Sequence, residues 1–363
     1  MVRNDPILNT RITEVIPLLS PRMLRAAAPL TRENQELVRT SRHAVAQVLN
    51  GRDDRLLMIV GPCSVHDPSA ALDYAHRLRA VAEDLQDQLL VVMRLYFEKP
   101  RTRIGWKGLV NDPRLDGSHR VDEGLMIARR LLVSILSAGV PVGCEFLDTI
   151  TPHYIADAVS WGAIGARTSQ SQIHRQLASG LSMPIGFKNA TDGSAQGAVD
   201  GISVAAHPQV FPGVDDDGSA AVLSTRGNPD CHVVLRGSDT GPNYGRGNVA
   251  EVLAQLCQAG LAQRVVLDAS HGNSGKDYRR QPIVAHEIAA RISEGERGLA
   301  GVMLESFLRG GRQDLVGNLS ELRYGQSVTD ACIDWHETAE LLRVFADAVA
   351  HRRLSQTTIR GGD

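Results

Sequence analysis

The chain has 363 residues, 43% hydrophobic and 22% charged, with 39 basic against 41 acidic side chains and a net charge of −2. That balance, with no basic tract, excludes nucleic-acid binding by phosphate neutralisation, and apolar runs no longer than Leu56–Val60 or Leu89–Met93 exclude a membrane span. Five scattered cysteines without a C-x-x-C pair point to a reducing cytoplasm, and the basic side chains are lopsided: four lysines (Lys99, Lys107, Lys188, Lys276) against 35 arginines.

Met1–Ile16 mixes Arg, Asn, Asp and Glu and reads as an arm, neither a signal peptide nor a membrane helix. Arg32–Leu49 carries apolar residues at helical spacing and predicts a helix. Strand-like runs then alternate with amphipathic helical stretches: Leu56–Val60, Leu89–Arg94, Val140–Glu145, Ala163–Ala166, Pro184–Lys188, His232–Arg236, Arg264–Asp268 and Gly301–Glu305. Eight strands separated by helices predict an α/β fold, a (β/α)8 TIM barrel, whose usual size is about 250 residues. Two stretches interrupt the alternation. Turn residues around Ala220–Leu223, within 208–230, predict a β-hairpin inserted before the sixth strand, and the Gly- and Pro-rich link Glu98–Asp122 has the length of a functional loop. The expected organisation is an N-terminal regulatory or oligomerisation extension over 1–50, a catalytic barrel over 51–352 and a disordered tail over 353–363.

Barrels of this kind place their chemistry at the C-terminal ends of the strands. Here those ends carry Cys63; Arg94 with Lys99 and Arg101; Glu145; Arg167; Lys188; Arg236; His271; and Glu305. Cys63, His271 and Glu305, joined by Asp330, offer one sulfur, one imidazole and two carboxylates, a set suited to a divalent transition metal. No local spacing supports the grouping; it depends on the barrel bringing distant strand ends together. Taken singly, Cys63 reads more readily as a small buried hydrophobe and His271 as a merely hydrogen-bonded strand-end residue than either does as a ligand. Arg94, Lys99, Arg101, Arg167, Lys188 and Arg236 are either solvated charges or, converging on one mouth, a site for a small substrate phosphorylated more than once.

Seven strings carry a family resemblance: Gly61-Pro62-Cys63-Ser64, Tyr96 to Thr102 with Gly105-Trp106-Lys107-Gly108, Ser160 to Thr168, Gly186-Phe187-Lys188-Asn189, Leu235-Arg236-Gly237, Ser270-His271-Gly272-Asn273 and Ser327 to Cys332. In this order, over about residues 5 to 350, they resemble the type I 3-deoxy-D-arabino-heptulosonate 7-phosphate (DAHP) synthases. The resemblance implies condensation of phosphoenolpyruvate with erythrose 4-phosphate, at the entry to the shikimate pathway. It implies one divalent metal (Mn, Fe, Co or Zn) on Cys63, His271, Glu305 and Asp330. Phosphoenolpyruvate falls to Arg94, Lys99, Arg167, Lys188 and Arg236, and the phosphate of erythrose 4-phosphate to Arg101 and Thr102. Lys99, Glu145 and Asp330 are the implied catalytic residues.

The same resemblance implies feedback inhibition by an aromatic amino acid, with Asp5, Asp148, Pro152, His153, Ser182, Phe211 and Leu223 at the effector positions. Ser182-Met183-Pro184 and Gly227-Asn228-Pro229-Asp230 are similar to the tyrosine-regulated branch, and a homodimer or homotetramer is implied. Ala190, Gln170 and His153 depart from the residues common in the family. Alternatives are a 3-deoxy-octulosonate 8-phosphate synthase, a Schiff-base aldolase on Lys188, or a non-catalytic barrel that senses aromatic amino acids.

Overall fold

The computed structural model describes residues 7–101, 105–315 and 319–360, with side chains through Ser355. Eight strands form a closed parallel barrel: β1 Leu56–Gly61, β2 Leu89–Arg94, β3 Val142–Phe146, β4 Trp161–Ile164, β5 Ile185–Lys188, β8 His232–Leu235, β9 Val265–Asp268 and β10 Leu299–Glu305. Between β5 and β8, β6 (Val210–Val214) and β7 (Ala220–Ser224) pair antiparallel as the expected hairpin, with Phe211 opposite Leu223. The barrel strands are Leu-, Val- and Ile-rich and buried on both faces, as parallel strands sheathed by helices must be. β1 pairs with β10 so that Gly61 is level with Glu305, which brings the residues after β1 and the end of β10 to one rim.

Two helix starts show why the chain folds as it does outside the barrel. Thr31 caps Arg32–Leu49 by accepting from Asn34 N at 3.2 Å, and Asp67, followed by Pro68 in the first turn, caps Pro68–Asp84. The inner face of Arg32–Leu49 puts Val45, Val48 and Leu49 into one buried cluster with Leu57, Ile59 and Met303, so the helix of the N-terminal extension packs against the barrel interior. A helix that sequence reading missed, Pro21–Ala27, precedes it, capped by Ser20.

Several boundaries differ from expectation. β4 begins at Trp161 and stops at Ile164, because Gly165 to Thr168 close a turn in which Thr168 N donates to Gly165 O at 2.9 Å. β8 stops before Arg236, whose N–H donates to the Asn189 side chain at 2.8 Å instead of a strand partner. The last helix, Trp335–Arg360, runs into the segment expected to be a disordered tail; Arg353 pins it through two bonds to the Asp54 carboxylate, at 2.7 and 2.6 Å. Residues 361–363 lie outside the described residues. Among those described, no helix is long and apolar enough to cross a membrane.

Candidate active site

The C-terminal ends of the strands surround a cavity of about 820 Å³. Arg94, Lys99, Arg101, Glu145, Arg167, Lys188, Arg236, His271, Glu305 and Asp330 all line it. Cys63 is fully buried behind that wall, and Thr102 lies outside the described residues. The start of the long link is shaped by a close backbone approach: Lys99 N donates to Lys107 O at 2.8 Å, and a Cβ on Gly108 (φ +112°) would sit 2.2 Å from Phe97 O. Only glycine fits there, and the fold-back directs Lys99 inward.

Cys63 Sγ and one carboxylate oxygen each of Glu305 and Asp330 lie within 4.8 Å of one another. His271 stands at the edge of this triangle, its Nε2 3.6 Å from Glu305 Oε1. Its Nδ1 is turned the other way, 2.8 Å from Asp268 Oδ2 and 2.7 Å from Ser270 Oγ, which leaves Nε2 facing the triangle. One sulfur, one imidazole nitrogen and two carboxylates converging in this way fit a divalent transition metal. Burial pushes the Cys63 thiol up to about 12, with Glu305 adding to the rise, so a cation among these groups is what the thiolate form needs. Burial acts against the ionised Asp330, but Lys99 and His271 bring its carboxyl down to about 2.

The cations are held in individual settings. Arg94, fully buried, donates to Glu305 Oε1 at 2.8 Å and to Pro62 O at 3.1 Å, and its guanidinium lies 3.8 Å over the Tyr96 ring. Lys188 Nζ is 2.5 Å from Glu145 Oε1 and 5.2 Å from the same ring. Burial opposes ionisation of Glu145, yet Lys188 and Lys99 bring it down to about 2, so it is a carboxylate at any working pH. Lys99 Nζ donates to Cys63 Sγ at 2.9 Å; burial works against its charge, but Cys63, Asp330 and Glu305 hold the ammonium above its ordinary value. Arg236 is buried, and its Nη1 has no hydrogen-bond partner among the described residues. A buried guanidinium nitrogen without a partner, on a residue that lines the cavity, calls for an anion there.

The family model described as the DAHP synthetase I family matches residues 29–343. The chain belongs to that family. It is 49% identical over 342 residues to the Tyr-sensitive phospho-2-dehydro-3-deoxyheptonate aldolase of Escherichia coli strain K12, covering 94% of this chain and 96% of the relative. It is 50% identical over 351 residues to the Phe-sensitive aldolase of that strain, covering 97% and 99%. The solved structure of the aldolase from Francisella tularensis SCHU S4 is similar at a TM-score of 0.92 and 46% identity, covering 94% of this chain and 99% of that chain.

In this DAHP synthetase I chain several residues of the mouth escaped sequence reading. Tyr96 carries two cations on its ring, and Asp268 orients His271; burial opposes its ionisation, but His271, Lys188 and Arg94 hold its carboxyl well below the usual range. Gln281 clamps the Glu305 backbone from both sides, at 3.0 and 3.2 Å. The one available signal was Asp268, an acid closing an apolar run. The effector positions fall on separate elements. Asp148 caps the turn before Pro152 by accepting from Ile150 N at 2.6 Å, His153 O accepts from Arg25 at 2.8 Å, and Phe211 and Leu223 are cross-strand partners. Ser182 lines a second cavity of about 470 Å³ beside Arg42 and Asp157, while Asp5 lies outside the described residues.

Proposed function

We propose that this mouth is the active site of a DAHP synthase, a transferase that condenses phosphoenolpyruvate with erythrose 4-phosphate to DAHP and phosphate in the first step of the shikimate pathway. The observation that carries the reading is the convergence on one cavity of buried cations and the Cys63, Glu305 and Asp330 donor triangle, whose two carboxylates line that cavity.

One divalent metal, Mn, Fe, Co or Zn, would be held by Cys63, His271, Glu305 and Asp330 and would supply Lewis-acid polarisation of the aldehyde. Arg94, Lys99 and Lys188 bind the phosphoenolpyruvate carboxylate side, while Arg167 and Arg236 take its phosphate; Arg101 and Thr102 take the phosphate of erythrose 4-phosphate. As carbon 3 of phosphoenolpyruvate bonds to the aldehyde carbon, the aldehyde oxygen gains charge, and Lys99, held as an ammonium, gives it a proton. Glu145, fixed by Lys188 and ionised, orients the water that adds at carbon 2 and stabilises the positive charge developing there. The phosphohemiketal then breaks its carbon–oxygen bond and releases inorganic phosphate.

An aromatic amino acid, tyrosine before phenylalanine or tryptophan, is the proposed feedback inhibitor, acting where Asp5, Asp148, Pro152, His153, Ser182, Phe211 and Leu223 stand. The exposed apolar row Ile7, Leu8, Ile12, Val15 and Ile16 favours burial of the arm against another copy, in a homodimer or homotetramer. Five free cysteines, four of them buried, suit the cytoplasm.

The decisive assay follows phosphate release from the two substrates. Release that stops with a chelator, returns with Mn²⁺ and falls on adding tyrosine is expected. No release with both substrates and added Mn²⁺ overturns the reading.

A further inference from the structure

Lys276 is one of the four lysines in an arginine-rich chain, and the roles proposed above leave it unused. It lines the active-site cavity on the loop that follows β9. Its backbone adopts φ +62°, a left-handed conformation that Gly or Asn would adopt at lower cost, and it shares that loop with His271 at φ +52°. The conformation is held by Lys276 N donating to His271 O at 2.6 Å. Strained non-glycine residues at a cavity mouth are places to look for function.

The surroundings say what the ammonium faces. The loops after β8 and β9 are locked at their bases: Gly272 N donates to Arg236 O at 2.9 Å, and a Cβ on Gly272 would lie 2.4 Å from Ser238 N. At the outer edge, Lys276 Nζ meets Asp239 Oδ1 at 3.2 Å, and Asp239 N is tied to Thr191 O on the loop after β5. Both side chains are mostly exposed, 69% and 64%, so water and salt weaken the pair. A phosphate dianion has more charge and more acceptor oxygens than Asp239, and it displaces an exposed carboxylate from a lysine readily. The same two loops carry Arg236, whose buried Nη1 lacks a partner among the described residues.

We infer that Lys276 is a further substrate-binding residue: its ammonium leaves Asp239 to hold the phosphate group bound on the Arg236 side of the mouth. This rests on the synthase reading above. In that reading the group is the phosphate of phosphoenolpyruvate, released at the end as inorganic phosphate, and Asp239 is the resting counter-ion that the substrate displaces.

The two partners therefore act in opposite directions, which a structural clasp would not produce. Lys276→Met is expected to raise KM for phosphoenolpyruvate and the inhibition constant of inorganic phosphate about five- to tenfold, the range of one solvent-exposed charge-assisted contact. Asp239→Asn is expected to lower both, and Lys276→Arg to recover part of the loss. KM for erythrose 4-phosphate is expected to stay within about twofold throughout, since Arg101, proposed above for its phosphate, follows β2, across the barrel order from β8. Calorimetric titration of each variant with inorganic phosphate gives a readout independent of turnover. Impairment by both substitutions, a shift confined to erythrose 4-phosphate, or unchanged phosphate affinity in Lys276→Met overturns the inference. A wild-type protein that binds phosphate yet releases none from the two substrates overturns the synthase reading instead.

Discussion

Lys99 and Lys188 occupy positions where the contacts are fitted to a compact ammonium. Lys188 Nζ sits 2.5 Å from Glu145 Oε1 beside a Tyr96 ring that already carries Arg94 at 3.8 Å. Lys99 Nζ reaches Cys63 Sγ at 2.9 Å and Asp330 Oδ2 at 3.8 Å, a compact three-dimensional cluster. A planar fork is larger and directs its donors within one plane, so it does not reproduce either set of contacts. Lys99→Arg and Lys188→Arg are therefore each expected to lower kcat/KM by about a hundredfold, the usual range for a misplaced acid–base or charge-stabilising group, although net charge is kept. The check is steady-state kinetics beside circular dichroism of the folded variants. Near-wild-type rates in both would mean that neither position requires an ammonium.

The hairpin, the short helix Pro21–Ala27 and the segment after β3 are joined by a few polar contacts. Arg25 donates to His153 O at 2.8 Å and pairs with Asp216 Oδ2 at 2.8 Å, while Arg22 N donates to Asp216 O at 2.9 Å. None of these residues belongs to the metal triangle or lines the active-site cavity, and they connect elements that carry proposed effector positions. Arg25→Ala removes the side chain common to two of these links. It is expected to raise the tyrosine concentration for half-inhibition about fivefold, in line with losing a bond worth about 1 kcal/mol, and to change kcat by less than about twofold. Inhibition curves for wild type and variant decide it; superimposable curves would exclude these contacts from regulation. The hairpin was legible because Pro212-Gly213, Asp217-Gly218 and Gly227 punctuate it. Pro21–Ala27 was not, because seven residues are too few to establish a helical period, and only Ser20-Pro21 marked its start.

For the molecule as a whole, legibility followed a physical division. Barrel strands were readable because burial on both faces demands unbroken apolar runs, and the residues lining the mouth were readable because they end those runs. Tyr96 and Asp268 hold other side chains and Gln281 holds the Glu305 backbone, roles set by three-dimensional contacts without a sequence period. The same applies to His232 at the other end of the barrel, the first residue of β8, level with Gly186. Trp161 Nε1 donates to His232 Nε2 at 3.2 Å, which leaves Nδ1 to carry the proton and face Asp230 O at 3.4 Å. Protonating Nε2 would set two donors against each other in a buried site, and burial brings the pKa of His232 down to about 4. The folded chain thus refuses a proton that the unfolded chain accepts below about pH 6.5. Stability from this group is complete above that pH and is lost as pH falls toward 4, by about 3 kcal/mol for a shift of this size. His232→Gln keeps an acceptor for Trp161 but cannot titrate. Denaturant unfolding of both proteins from pH 8 to pH 4 cancels the carboxylates they share, and the wild type is expected to lose its advantage, or fall behind, between about pH 6.5 and 4. A stability difference that stays constant across that window would mean that His232 is not held neutral in the barrel.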